Sequence, residues 1–128
     1  VQMGTVFLAS DECQIHENYK NLVLHAKDTD SVVTGRISGC AACRQLRNKF
    51  TKNILAQEKE GLTQETFEQA CTGSLRKAVQ DGDRDHGSFM AGQIAGMIHE
   101  VKSCKEILET IFQDGEELLK DRYRQFTK

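Results

Sequence analysis

Gly87-Ser88-Phe89-Met90-Ala91-Gly92-Gln93-Ile94-Ala95-Gly96 is the stretch on which the reading of this chain turns. Gly92 and Gly96 stand four apart with Ala91 and Ala95 beside them, so a helix over Ser88 to His99 would present a strip almost free of side chains. Ser88 is a suitable cap for it. Such a strip packs closely on either another helix or a flat ligand ring. At the other end of the chain, Val1-Gln2-Met3-Gly4-Thr5 is a short apolar run that stops at Gly-Thr. Bare N–H groups and a hydroxyl there can hold an anion or simply end a strand.

Working outward, Val1 to Leu8 is apolar and β-branched enough to predict a buried strand. A single strand needs ladder partners, and no second strong strand follows, so the expected partners are encoded before residue 1. Ser10 or Asp11 would cap a helix running to Ala26, with Ile15, Tyr19, Leu22 and Val23 on one face. Ser31 to Ile37 reads as a short edge strand. Arg44 to Lys59 reads as a helix stopped by Gly61. Thr63 opens a third helix, Gly73 interrupts, and Ser74 to Gln80 gives another short turn. Ser103 with Glu106 forms a capping box for a long amphipathic helix to the end of the chain.

Composition narrows the functional classes. The 128 residues suffice for one domain with a modest core but not for a large enzyme. Seventeen basic residues are interspersed with nineteen acidic ones, which argues against nucleic acid or an anionic membrane as partner. No apolar run is long enough to cross a bilayer, and a cytoplasmic location is expected. The five cysteines are odd in number and unevenly spaced, as suits reduced thiols.

Two metal readings compete with plainer ones. Cys40 and Cys43 have C-x-x-C spacing, and Cys13 with His16 would complete four zinc ligands if the fold joined them. A turn carrying idle thiols is the simpler reading, and no metal is expected. Asp81, Asp83 and Asp85 imitate the start of a calcium loop, but the glycine comes one place late and the twelfth position is Gly92 rather than a glutamate. A solvated turn explains them better. The four histidines lack a nucleophile partner, with His86 the one to watch because it precedes the Gly87-Ser88 step.

Several motifs occur in an order and spacing that resemble the flavin-dependent enoyl-acyl-carrier-protein reductase II family. They are Val1-Gln2-Met3-Gly4-Thr5, His16-Glu17-Asn18-Tyr19-Lys20, Arg44-Gln45-Leu46-Arg47-Asn48, Phe67-Glu68-Gln69 and, above all, Gly87 to Gly96. That family is similar to the nitronate monooxygenases, formerly 2-nitropropane dioxygenases, with which it shares an FMN-binding (β/α)8 TIM barrel. The resemblance implies a mainly α chain: residues 1–9 would be the last barrel strand and residues 10–128 a helical cap without internal boundary. It implies that Gly4 and Thr5 help hold the FMN phosphate at the strand's mouth, where such barrels bind phosphate. Ser88, Met90 and Gln93 would contact flavin or substrate, with the catalytic residues expected before Val1.

In that family NAD(P)H reduces FMN, and the flavin reduces the double bond of a trans-2-enoyl chain on its carrier protein, in fatty-acid synthesis. The resemblance therefore implies FMN as cofactor, NAD(P)H as co-substrate, enoyl-acyl-carrier protein as partner, and an inactive chain when isolated from the rest of the barrel. Apolar helical faces suggest a homo-oligomer. The rivals are a nitronate monooxygenase and a non-catalytic helical module that binds through its last helix.

Overall fold

In the computed structural model, which describes residues 2–127, the chain is mainly helical with one two-stranded antiparallel sheet. The helices are α1 (Glu17–Leu24), α2 (Lys49–Lys59), α3 (Gln64–Cys71), α4 (Ser74–Arg76, continued by one wide turn over Lys77–Asp81) and α5 (Cys104–Phe126). The strands β1 (Ser31–Thr34) and β2 (Cys43–Leu46) pair in the register Ser31↔Leu46 to Thr34↔Cys43. No helix among the described residues is long and apolar enough to cross a membrane.

The opening segment differs from the expected strand. Thr5–Ala9 winds into a 3-10 helix that begins with the Phe7 N–H donating to the Gly4 carbonyl. Any strand is thereby confined to residues before Thr5. Val1 lies outside the described residues, and residues 2–4 find no ladder partner among them. An unpaired strand leaves its polar backbone unsatisfied, whereas a 3-10 turn satisfies it locally.

α1 starts later than expected, at Glu17. Ser10 does not cap it: the buried Ser10 hydroxyl donates to the Phe7 carbonyl, and residue 10 forms a parallel bridge with Lys102. His16 caps instead, its Nδ1 accepting the Asn18 N–H at 3.0 Å while its own N–H donates to the Val79 carbonyl. Gly82, at φ +61, lies so close that a Cβ there would overlap the His16 ring.

β2 occupies residues where side-chain spacing predicts the start of a helix. Leu46 and Gln45 are buried, and the Leu46 N–H donates to the Phe89 carbonyl at 2.8 Å, so residues 44–46 gain more from pairing than from helical bonds. Asn48 then opens α2 with a capping box to Thr51. β1 stops at Thr34 because Gly35 turns at φ +85, with the Ala41 carbonyl 2.9 Å from where a Cβ would sit. Thr63, Gly73 and the Ser103/Glu106 box end and begin their elements as the sequence implied.

The Gly87–Gly96 segment is not a helix. Phe89 to Ala91 runs extended along β2, with Gln45 and Met90 paired antiparallel, and only Gln93–Met97 coils, as a 3-10 turn. Glycine is a poor helix residue, and the exposed rim of β2 offers this backbone hydrogen-bond partners. The core forms where the segment crosses α1: Phe89 is fully buried and meets Tyr19 edge to face, with ring centroids 4.9 Å apart. Val23, Ala26, Leu46 and Ala78 are among the residues buried with them, as are Ala9, Ala91, Ala95 and Ile98.

Candidate functional site

The two stretches singled out at opposite ends of the sequence meet. Thr5 Oγ1 accepts the Gly92 N–H at 2.9 Å. A cavity of about 470 Å³ opens beside this bond, lined by residues 2–6 on one side, by Ile94, Met97 and Ile98 on another, and by Ile111 and Asp114 of α5. Its walls are mostly apolar, and Ile94 and Met97 are respectively 52% and 77% exposed, far more than core residues tolerate without a covering partner.

The expected contact residues divide. Gly4 and Thr5 line the cavity. Gly4 has open space where a Cβ would stand, so a ligand can approach its backbone. Since Thr5 Oγ1 already accepts from Gly92, its own proton remains available to a ligand. Gln93 is exposed and directly precedes the lining residue Ile94. Met90 is 39% exposed but outside this cavity, and its carbonyl accepts the Tyr19 hydroxyl at 2.6 Å. Ser88 lies inside: it is 2% exposed and donates to Gln45 Oε1 at 2.6 Å, and Gln45 Nε2 in turn donates to Thr34 at 2.7 Å. This buried chain pins the segment to the sheet, the work assigned to Ser88 as a helix cap.

The glycines also work differently from a strip under a ring. A Cβ on Gly92 would stand 3.3 Å from Thr5 Oγ1, and one on Gly96 would stand 2.8 Å from the Asp28 Cα. Both are small so that other protein segments can approach. The cavity residues Met97, Ile98 and Asp114 were missed by sequence reading. The available signal was the run of apolar residues after Gly92, which a helix would have divided between two faces.

Remaining chemistry is quiet. Burial pushes the Cys71 thiol up to about 11, with the neighbouring Cys40 and Cys43 adding to the effect, and burial likewise raises Cys43. Neither is an activated thiolate. Among the described residues no three His, Cys, Asp or Glu side chains gather to hold a metal ion. Asp83 takes the N–H groups of Asp85 and His86 and the His86 ring, which together hold its carboxyl below the usual range, the His86 N–H first. The loop is thus a self-satisfied turn, and His86 stands exposed on it.

The described residues thus set short helices and one small sheet around an open, mostly apolar cavity. The structure of FabK from Thermotoga maritima, a TIM barrel, matches 96% of the chain and 39% of its own length with TM-score 0.88 and 41% identity. A mutant of FabK from the same organism matches with TM-score 0.79 and 38% identity, over 96% of this chain and 36% of its own. The nitronate monooxygenase family model matches residues 1–114, and the chain belongs to that family of FMN-dependent oxidoreductases. A probable nitronate monooxygenase of Staphylococcus saprophyticus is 30% identical over 93% of this chain and 33% of its own length. One from Staphylococcus haemolyticus is 35% identical over 73% of the chain and 26% of its own. The chain thus spans about a third or less of the curated relatives it matches.

Proposed function

We propose that the chain is the C-terminal part of an FMN-dependent enoyl-acyl-carrier-protein reductase, which uses NAD(P)H to reduce a trans-2-enoyl chain held on its carrier protein in the cytoplasm. The observation that carries this reading is the 41% identity to FabK, an enoyl reductase, over nearly the whole chain, against 30% and 35% for the two nitronate relatives.

The residues present fit one wall of a flavin site. Gly4 offers an approachable backbone and Thr5 a free hydroxyl proton, a pair suited to a phosphate oxygen. Asp114 is the only charged group lining the cavity among the described residues and is acidic, so cationic donors to the phosphate would have to come from elsewhere. Ile94, Met97 and Ile98 would exclude water from the site, and Gln93 would reach its edge, whereas Met90 lies outside this cavity. Ser88 acts from behind, holding that segment through Gln45. Bound FMN would supply the hydride-transfer chemistry.

A second reading, nitronate oxidation, is favoured by the family model and the curated names. Both readings are tested on the full-length flavoprotein by following NAD(P)H oxidation with a crotonyl thioester and oxygen uptake with an alkyl nitronate. Thioester-dependent oxidation is expected; turnover confined to the nitronate would reverse the assignment.

A further inference from the structure

Three segments remote in sequence close around a hollow of about 780 Å³: α1 at Asn18 and Leu22, the entry to α2 at residues 47–52, and the turn at residues 82–85. Hydrogen bonds from side chain to backbone lock the three together. Asn18 Nδ2 donates to the Gly82 carbonyl at 2.9 Å, and Asn48 Nδ2 donates to the carbonyls of Arg84 and Gly87 at 3.1 and 2.7 Å. The hollow is therefore formed before anything enters it, which lowers the cost of binding there.

The charges lining it do not cancel. Lys49 is taken by Asp85 at 2.6 Å, and Asp83 is engaged by the N–H groups of Asp85 and His86 and by the His86 ring. Arg47, Lys52 and Arg84 are exposed and have no carboxylate within ion-pair distance among the described residues. Basic side chains on a convex face are simply hydrated, whereas these line a concavity of the size that encloses a small organic ligand. We propose that the hollow binds a small molecule bearing a pyrophosphate group, with the Arg47 and Arg84 guanidinium groups forking onto its oxygens, Lys52 adding a third positive charge, and Leu22 giving the organic part an apolar floor. A pyrophosphate spreads several negative charges over two centres, which suits three cations on two walls better than the single charge of a carboxylate does. A carboxylate-rich protein face fits less well, because it would also meet Asp83 and Asp85 on the turn. The hollow shares no residue with the cavity beside Gly4 and Thr5, so its ligand is independent of the reductase reading.

The test is isothermal titration calorimetry of the full-length protein with inorganic pyrophosphate, in magnesium-free buffer and saturating FMN so that a flavin phosphate site is already filled. Saturable binding is expected, weakened about tenfold by Arg47→Gln and by Arg84→Gln and further by the two together. Arg84→Lys keeps the charge but loses the fork and should fall between. Lys59→Gln removes a cation from the far end of α2, outside the hollow, and should change nothing. Lys52→Gln supplies the same readout should an arginine variant lose its far-ultraviolet circular dichroism. Displacement of the pyrophosphate by NADPH would make a dinucleotide the natural occupant, and failure to displace it would make that occupant a separate phosphorylated effector. No binding at millimolar pyrophosphate, binding that survives the double arginine variant, or an equal loss in Lys59→Gln overturns the proposal.

Discussion

Thr5 Oγ1 and the Gly92 N–H are hydrogen-bonded at 2.9 Å although 87 residues separate them in sequence. The bond fixes the opening turn against the Gly87–Gly96 segment and forms one edge of the candidate cavity. Replacing the acceptor with the isosteric Thr5→Val leaves a partly buried N–H unpaired, at a cost of about 1–2 kcal/mol. Urea denaturation should register that loss in Thr5→Val and little of it in Thr5→Ser, which keeps the oxygen.

Gly96 and Gly115 should respond to alanine in opposite directions. At Gly96 the new methyl would meet the backbone of Lys27 and Asp28, which cannot withdraw as a flexible side chain would. A loss of about 2 kcal/mol or more is expected. At Gly115 nothing stands within 4 Å, and alanine within helix α5 should add about 0.5–1 kcal/mol. Thermal melts of the two variants, read against the parent, check the signs.

Ser88 holds its segment through Gln45 rather than by touching the cavity. Ser88→Ala should leave Gln45 Oε1 buried without its donor and cost about 1–3 kcal/mol. In a full-length flavoprotein the variant should change flavin affinity less than Thr5→Val does, relative to its stability loss. Flavin fluorescence titration beside denaturation separates the two quantities.

Glu58 gives an acid-limb prediction. Burial by itself raises its pKa, but the Ser38 hydroxyl and the N–H groups of Ser38, Gly35 and Ile37 outweigh that and hold it below its ordinary 4.5. A depressed folded value means the stabilisation is fully present above the unfolded value and disappears as pH falls through the folded one. Stability should therefore decline below about pH 4.5. Glu58→Gln should cost about 1–3 kcal/mol at neutral pH and flatten that decline, as denaturation midpoints across pH 3 to 7 would show.

Tyr19 is buried, and its hydroxyl donates to the Met90 carbonyl at 2.6 Å. Tyr19→Phe keeps the edge-to-face contact with Phe89 while removing that donor. A loss of about 1–2 kcal/mol is expected, accompanied by faster amide exchange around Met90.

Local signals in the chain were enough for the elements whose physics is local. Thr63, Gly73 and the Ser103/Glu106 box act through groups within four residues of themselves, and each fell where its chemistry required. Motif order likewise pointed to the family without help from coordinates. Arg44–Leu46 and Ser88–Ile98 went the other way. Their side-chain spacing suits a helix, but the backbones of Arg44–Leu46 and Phe89–Ala91 pair with each other across more than forty residues of sequence, and no local pattern encodes that partnership.

The sequence alone therefore determined the family and the mainly helical character, because these rest on residue identity and short-range capping. Tertiary structure alone decided that Ser88 turns inward, that Gly96 is small for the sake of the Asp28 backbone, and that Thr5 meets Gly92. Each depends on which distant segment arrives beside the residue. That is set by where apolar surface can be buried with every backbone polar group still paired.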